Sequence, residues 1–163
     1  MLPYTGEGLG MNDYKDTYWQ YISSGKLCLQ FCPACKQYIF YPRGLCPNCL
    51  QSGLEWKEVT GKGRVYSYTI VHISSLPDFQ DETPYIYALI ELAEGVRMPS
   101  NLIDCPMDKV RVGLSVELAF IKRKGKILPV FKPSEATFSI NFLTSKGIGG
   151  TINNLINKEG SQL

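Results

Sequence analysis

Cys32-Pro33-Ala34-Cys35 and, ten residues further on, Cys46-Pro47-Asn48-Cys49 decide how this sequence is read. Each Cys-x-x-Cys turn holds two thiols at one edge of a tetrahedron, and two such turns on a short hairpin complete it. Zinc favours this set of four soft ligands, with iron on the same thiolates as the alternative. A disulfide framework rarely joins cysteines so close together twice, and a redox Cys-x-x-Cys has no use for a duplicate. With four protein ligands the site is closed, so the metal is expected to hold the fold rather than to catalyse. The stretch is too short for a core of its own, and metal binding then supplies its folding free energy.

The short insert between the turns implies a compact ribbon of the rubredoxin type over residues 26–53. Lys26, Lys36 and Arg43 are its charged residues, with no acid, and they offset the negative charge that four thiolates leave on a divalent ion. Upstream, residues 1–10 carry three glycines and a proline and read as a flexible arm. A helical period follows: Tyr14, Tyr18, Tyr21 and Ile22 recur at threes and fours with Trp19 beside them, Asn12 or Asp13 as cap and Gly25 as stop. That aromatic face can pack on the chain's own sheet or on a partner.

Downstream the period becomes two. Strands are expected at about 55–60, 64–74, 85–92, 96–103, 115–123 and 127–132, with Gly61-Lys62-Gly63, Ala93-Glu94-Gly95 and Lys124-Gly125 as turns. In the strand at 85–92, Ile86, Ala88, Ile90 and Leu92 form the core face, while Tyr85, Tyr87 and Leu89 make the other face apolar too, as an interface would. The fold expected is therefore mainly β: an N-terminal helix, a rubredoxin-like zinc ribbon, then a five- or six-stranded OB-fold barrel. The divisions are arm and helix at 1–25, ribbon at 26–53, barrel at 54–133 and tail at 134–163. The tail, with Gly147, Gly149, Gly150 and scattered apolar residues, is expected to order against a partner, with a short helix at 151–158.

Composition excludes several classes. Of 163 residues 44% are hydrophobic and 20% charged, enough for a core, and the net charge is only +2. No apolar stretch precedes Lys15, and the longest apolar run, from Tyr85 to Ile90, is too short for a bilayer. We expect no leader peptide, no membrane span and a cytoplasmic location.

The order of motifs resembles a known family. The aromatic helix leads to Gly25-Lys26-Leu27 and the two Cys-x-x-Cys turns. Tyr41-Pro42-Arg43, Trp56, the stretch from Thr60 to Thr69, Pro84-Tyr85, Glu94-Gly95-Val96-Arg97 and Phe131-Lys132-Pro133 complete the series. Residues 13–133 thus resemble the OB-fold proteins with an N-terminal rubredoxin-like zinc ribbon, long catalogued as a domain of unknown function. The resemblance implies a subunit of an acyl-CoA-processing complex. The leading expectation is a hetero-oligomer with a thiolase-superfamily enzyme handling a 3-oxoacyl-CoA, with a CoA thioester shared between the two. A hydratase or aldolase partner is the alternative.

No catalytic residue is expected on this chain. Thioester chemistry needs a nucleophile and bases, and His72 is the lone histidine, read as partly buried with a hydrogen-bond partner. Cys28 reads as a small buried hydrophobe, and Cys105 sits in a loop without an activating partner. Gly61-Lys62-Gly63 reads as a hairpin and not a phosphate cradle. A single-stranded nucleic-acid binder remains as another class, since OB-folds and ribbons both serve there, but the basic and acidic side chains of 54–133 nearly cancel. Beyond the metal ligands, the residues expected to touch CoA or the partner are Arg43, Arg97, Lys122, Arg123, Tyr85 and Tyr87. Arg43 and Arg97 could each clamp a phosphate or carboxylate bidentately, with a surface ion pair as the plain alternative. Lys122 and Arg123 lie in a basic hairpin turn.

Overall fold

A computed structural model describes residues 13–75 and 77–134. The arm, Asn12, the tail beyond Ser134 and the helix expected at 151–158 lie outside the described residues. Helix α1 (Asp13–Ser23) obeys the predicted period: Tyr18 and Ile22 are buried, while Tyr14 and Trp19 stay exposed. Gly25 ends it at φ +77°, with the Gly25 N–H donating to Ile22 O at 2.9 Å and the Lys26 N–H to Tyr21 O at 3.0 Å. That pair of bonds is a Schellman cap, which favours glycine because its left-handed residue carries no Cβ.

The next strands, β1 (Cys28–Cys32), β2 (Gln37–Ile39) and β3 (Glu55–Glu58), form a three-stranded sheet in the order β2-β1-β3. Then come β4 (Lys62–Val71), the short helix α2 (Pro77–Gln80), β5 (Tyr85–Leu92), β6 (Arg97–Leu102), β7 (Ser115–Arg123) and β8 (Lys126–Pro133). These five strands close a barrel in the order β4-β5-β6-β8-β7, the OB-fold topology expected. The β7–β8 turn, Lys124 at φ +46° and Gly125 at φ +79°, has the two left-handed residues a type I′ hairpin needs. Where β6 meets β8 the parallel pairing is brief, Leu102 opposite Phe131, and the Ser100 hydroxyl helps by donating to Pro129 O at 3.0 Å.

One expected pairing is corrected. The strand at 55–60 does not form a hairpin with the next; β3 pairs with β1, placing Lys57 opposite Leu29 and Trp56 opposite Gln30. Gly61 and Gly63 mark a crowded passage instead. A Cβ on Gly61 would lie 2.7 Å from Leu118 Cβ, and one on Gly63 would lie 2.7 Å from the Glu91 carbonyl oxygen. Gly63 is squeezed between Leu92 of β5 and Val116 of β7. Because a backbone oxygen cannot rotate away, Gly63→Ala should destabilise the chain by about 1–3 kcal/mol, read by urea unfolding. An unchanged midpoint would show that β4 shifts freely within the barrel.

Helix, ribbon base and barrel share one core. Tyr18 and Ile22 of α1 and Leu27 and Leu29 at the ribbon base pack with Val65, Ile90, Met98 and Phe131 of the barrel. A separate small cluster surrounds Cys32, Ile39 and Cys46. His72 is corrected as well: it lies just past the end of β4 and is exposed, because the strand has by then run beyond the packed barrel wall.

Candidate functional site

The two cysteine turns have the same backbone form. In the first, Lys36 sits at φ +55° and its N–H donates to Cys32 O at 2.8 Å; in the second, Leu50 sits at φ +58° and its N–H donates to Cys46 O at 2.9 Å. This repeated loop faces the thiols of both turns inward. Cys32 and Cys49 sulfurs lie 3.5 Å apart, as do those of Cys35 and Cys46, and all four lie within 4.8 Å of one another. A tetrahedral ion with Zn–S bonds of about 2.3 Å would need sulfurs about 3.8 Å apart, so the four residues fit it. Burial works to raise the Cys46 thiol, but N–H groups of Cys49 and Asn48 outweigh it and bring it down to about 6. The Gln51 N–H favours a Cys49 thiolate, yet burial and the neighbouring sulfurs push that thiol up to about 12. Four such crowded sulfurs ionise together only around a cation.

Gln30 is a feature the sequence reading missed. It is a buried polar residue on β1, and its Oε1 accepts the Arg43 N–H at 2.8 Å, tying the loop between the cysteine turns to the sheet. A polar residue in the middle of Cys28-Leu29-Gln30-Phe31 was the available signal. Arg43 itself is exposed, its Nε donating to Tyr41 O at 3.1 Å.

On the barrel, Arg97 stacks its guanidinium 3.5 Å from the Tyr66 ring centre and pairs with Glu91 at 3.1 Å. Arg64 shares Glu91 through its Nε at 2.7 Å, and hydrogen bonds from Arg64 and Arg97 hold that carboxyl below the usual range. Arg123 pairs with Glu82 and lies 4.7 Å over the Phe79 ring, whose other neighbour is Tyr85 at 5.8 Å. Tyr87 and Arg123 come together in a groove of about 250 Å³, walled also by Trp19 of α1, Tyr41 of the ribbon, Phe79 of α2 and Pro99 of β6. Trp19 Nε1 donates to the Tyr41 hydroxyl at 3.1 Å across one wall. Among the described residues Arg43, Arg97, Lys122 and Tyr85 do not line this groove; Lys122 is exposed on the β7–β8 hairpin. Tyr18, expected to add partner-facing area, is 2% exposed because it fills the joint between helix, ribbon and barrel.

Residues 19–55 match the family model described as the ChsH2 rubredoxin-like zinc ribbon domain, and residues 56–120 that of the ChsH2 C-terminal OB-fold domain. A DUF35 domain-containing scaffold protein of Methanothermobacter thermautotrophicus is 38% identical over 104 residues, which cover 63% of this chain and 74% of that one. This chain belongs to the DUF35 family. A probable enoyl-CoA hydratase alpha subunit of Thermomonospora curvata is also 38% identical, over 67% of this chain, but the match spans 34% of that relative's length. The benzoylsuccinyl-CoA thiolase subunit BbsA of Geobacter metallireducens is 30% identical over 61% of this chain and 66% of its own length. Among solved structures, the Ltp2-ChsH2(DUF35) aldolase superposes with a TM-score of 0.68 at 34% identity, covering 76% of this chain and 97% of that one. The border between the two DUF35 family models falls within β3, the strand that joins the ribbon sheet.

Cys28 is buried and its thiol is raised by burial; Cys105 is raised by burial too, and its thiol donates to Pro106 O at 3.6 Å. Neither is poised as a thiolate. Among the described residues no helix is long and apolar enough to cross a membrane.

Proposed function

We propose that this DUF35 chain is the zinc-ribbon and OB-fold subunit of an acyl-CoA-processing complex in the cytoplasm, assembled with a thiolase-type enzyme that forms or cleaves a 3-oxoacyl-CoA. In this reading the chain supplies structure and part of the CoA-thioester environment, and the enzyme supplies nucleophile and bases. Family membership carries the reading, since the ribbon and the barrel match in order and relatives of this make-up are titled scaffold proteins or acyl-CoA enzyme subunits. The thiol chemistry agrees, because Cys28 and Cys105 both favour the protonated form. The test is coexpression with a thiolase-type enzyme, native mass spectrometry, and acyl-CoA turnover by each chain alone and by both. Turnover by this chain alone would overturn the reading. An aldolase partner is the second reading, favoured by the superposition on the ChsH2(DUF35) aldolase; the same coexpression run with an aldolase separates the two. Nucleic-acid binding is disfavoured because Arg64, Arg97 and Arg123 are paired with Glu91 and Glu82.

The partner-facing surface in this proposal is the groove mouth, where Tyr87 is 45% and Trp19 39% exposed beside Arg123. Tyrosine, tryptophan and arginine dominate interface energetics. Tyr87→Asp should weaken assembly by about 2 kcal/mol or more, roughly thirtyfold in affinity, with metal content and thermal unfolding unchanged. Normal assembly by that variant would move the interface elsewhere.

A further inference from the structure

The two cysteines of each turn differ in burial. Cys32 and Cys46, the first of each turn, are fully buried, while Cys35 and Cys49, the second of each, are half-buried. Each half-buried cysteine lies at the outer side of the tetrad, where Lys36 in one turn and Cys49's own neighbour Leu50 in the other carry the chain away at positive φ. Each also faces across to the other turn. Cys35 Sγ lies 3.5 Å from Cys46 Sγ, and Cys49 Sγ lies 3.5 Å from Cys32 Sγ. A reachable sulfur beside a second, sheltered one is the arrangement that reversible thiol oxidation uses. Closing such a gap to a disulfide takes a shift of about 1.5 Å. The other two cysteines lack this arrangement: Cys28 is buried, and the Cys105 thiol contacts a backbone oxygen, Pro106 O.

We propose that the tetrad is a site of reversible oxidation by hydrogen peroxide, with Cys35 and Cys49 as the reacting sulfurs and Cys46 and Cys32 as their resolving partners. The Cys35 sulfur attacks one peroxide oxygen; the O–O bond breaks, the sulfur becomes a sulfenic acid, and the other oxygen leaves as water after taking a proton. The Cys46 thiolate then attacks that sulfur, forms the S–S bond and expels the sulfenic oxygen as a second water. In sum, two thiolates, one peroxide and two protons give one disulfide and two waters, with two electrons passing from sulfur to oxygen. Two thiolates remain, too few for a structural ion, so the first bridge releases the zinc. Cys49 and Cys32 then react in the same way and leave the turns joined crosswise. The inference concerns the ribbon alone and holds whichever enzyme is the partner.

The test treats the zinc-loaded full-length chain with stoichiometric hydrogen peroxide and follows free zinc with a chromogenic chelator. Remaining thiols are then blocked, and the chain is digested with trypsin under denaturing, non-reducing conditions. Cleavage after Lys26, Lys36, Arg43 and Lys57 puts Cys32 and Cys35 in residues 27–36 and Cys46 and Cys49 in residues 44–57. About one zinc per chain should be released, and the chain mass should fall by about 2 Da per bridge. The two peptides should be joined, with fragmentation placing the bridges at Cys35–Cys46 and Cys32–Cys49, and a dithiol with added zinc should restore the starting state. Bridges within a turn, which leave the two peptides separate, overturn the proposal. So does oxidation confined to Cys28 or Cys105, or zinc that stays bound in a large excess of peroxide.

Discussion

Cys35→Ser is expected to abolish stoichiometric metal binding and unfold the ribbon tip while leaving the barrel folded. Among the described residues the cluster around the tetrad holds Cys32, Ile39 and Cys46 as buried members, with Cys35, Cys49 and Leu54 at its margin. Burial of so little apolar surface cannot offset the conformational entropy of ordering the loops between the turns. Structural zinc contributes about 10–16 kcal/mol of apparent binding free energy at neutral pH, so incomplete ligation removes the main support of that segment. The Gln30–Arg43 contact is then lost with the loop. Leu27 and Leu29 belong instead to the shared core, so β1 should stay docked on the barrel. Elemental analysis should show about one zinc per parent chain and none per variant chain. Exchange should become fast over the cysteine turns and stay slow in β5. A Ser variant that keeps full metal content and a protected ribbon would show that the core, not the ion, holds the tip.

Tyr18→Ala should cost about 3–5 kcal/mol of global stability, the range for emptying a buried aromatic site. Tyr18 is 2% exposed and meets Trp19, Tyr41 and Phe40 edge-on, with ring centres 5.3, 5.5 and 6.2 Å away. Its removal strips contacts from helix, ribbon and barrel at once, so α1 should detach and carry Trp19 off the groove wall. Tyr18→Phe keeps the ring, and burial already holds the hydroxyl in its protonated form by raising its pKa. It should cost no more than about 1.5 kcal/mol. Denaturant unfolding followed by Trp19 fluorescence reads both variants. A small loss for Tyr18→Ala would mean that α1 is held by Ile22 alone and that Tyr18 is not the joint between the three elements.

Much of this architecture is legible because its causes are local. Two Cys-x-x-Cys turns bring four thiols together through a few backbone dihedrals each, so a tetrad that fits zinc can be read without any knowledge of the fold. Alternation in 85–92 and 115–123 follows from the pleat of a strand, and both segments form strands with those bounds. The stop at Gly25 needs only a residue that tolerates positive φ. The membership of the DUF35 family was likewise carried by motif order.

What the chain does with those elements depends on residues far apart. The alternation of Glu55-Trp56-Lys57-Glu58 says strand but not which neighbour; it pairs with β1, while Gly61 and Gly63 pass through a gap that admits no side chain. Helical period places Tyr18 and Trp19 side by side, and only the barrel and ribbon surfaces decide that the first is buried and the second stays exposed. Arg123 finds Glu82, 41 residues away, and the groove draws on α1, the ribbon, α2 and the barrel strands β5 to β8. Sequence by itself therefore determined the cysteine tetrad and the types of most elements, since spacing and period act through a few consecutive residues. The tertiary structure alone decided which strands pair and which aromatic rings remain exposed, because those depend on how distant segments fill one shared core.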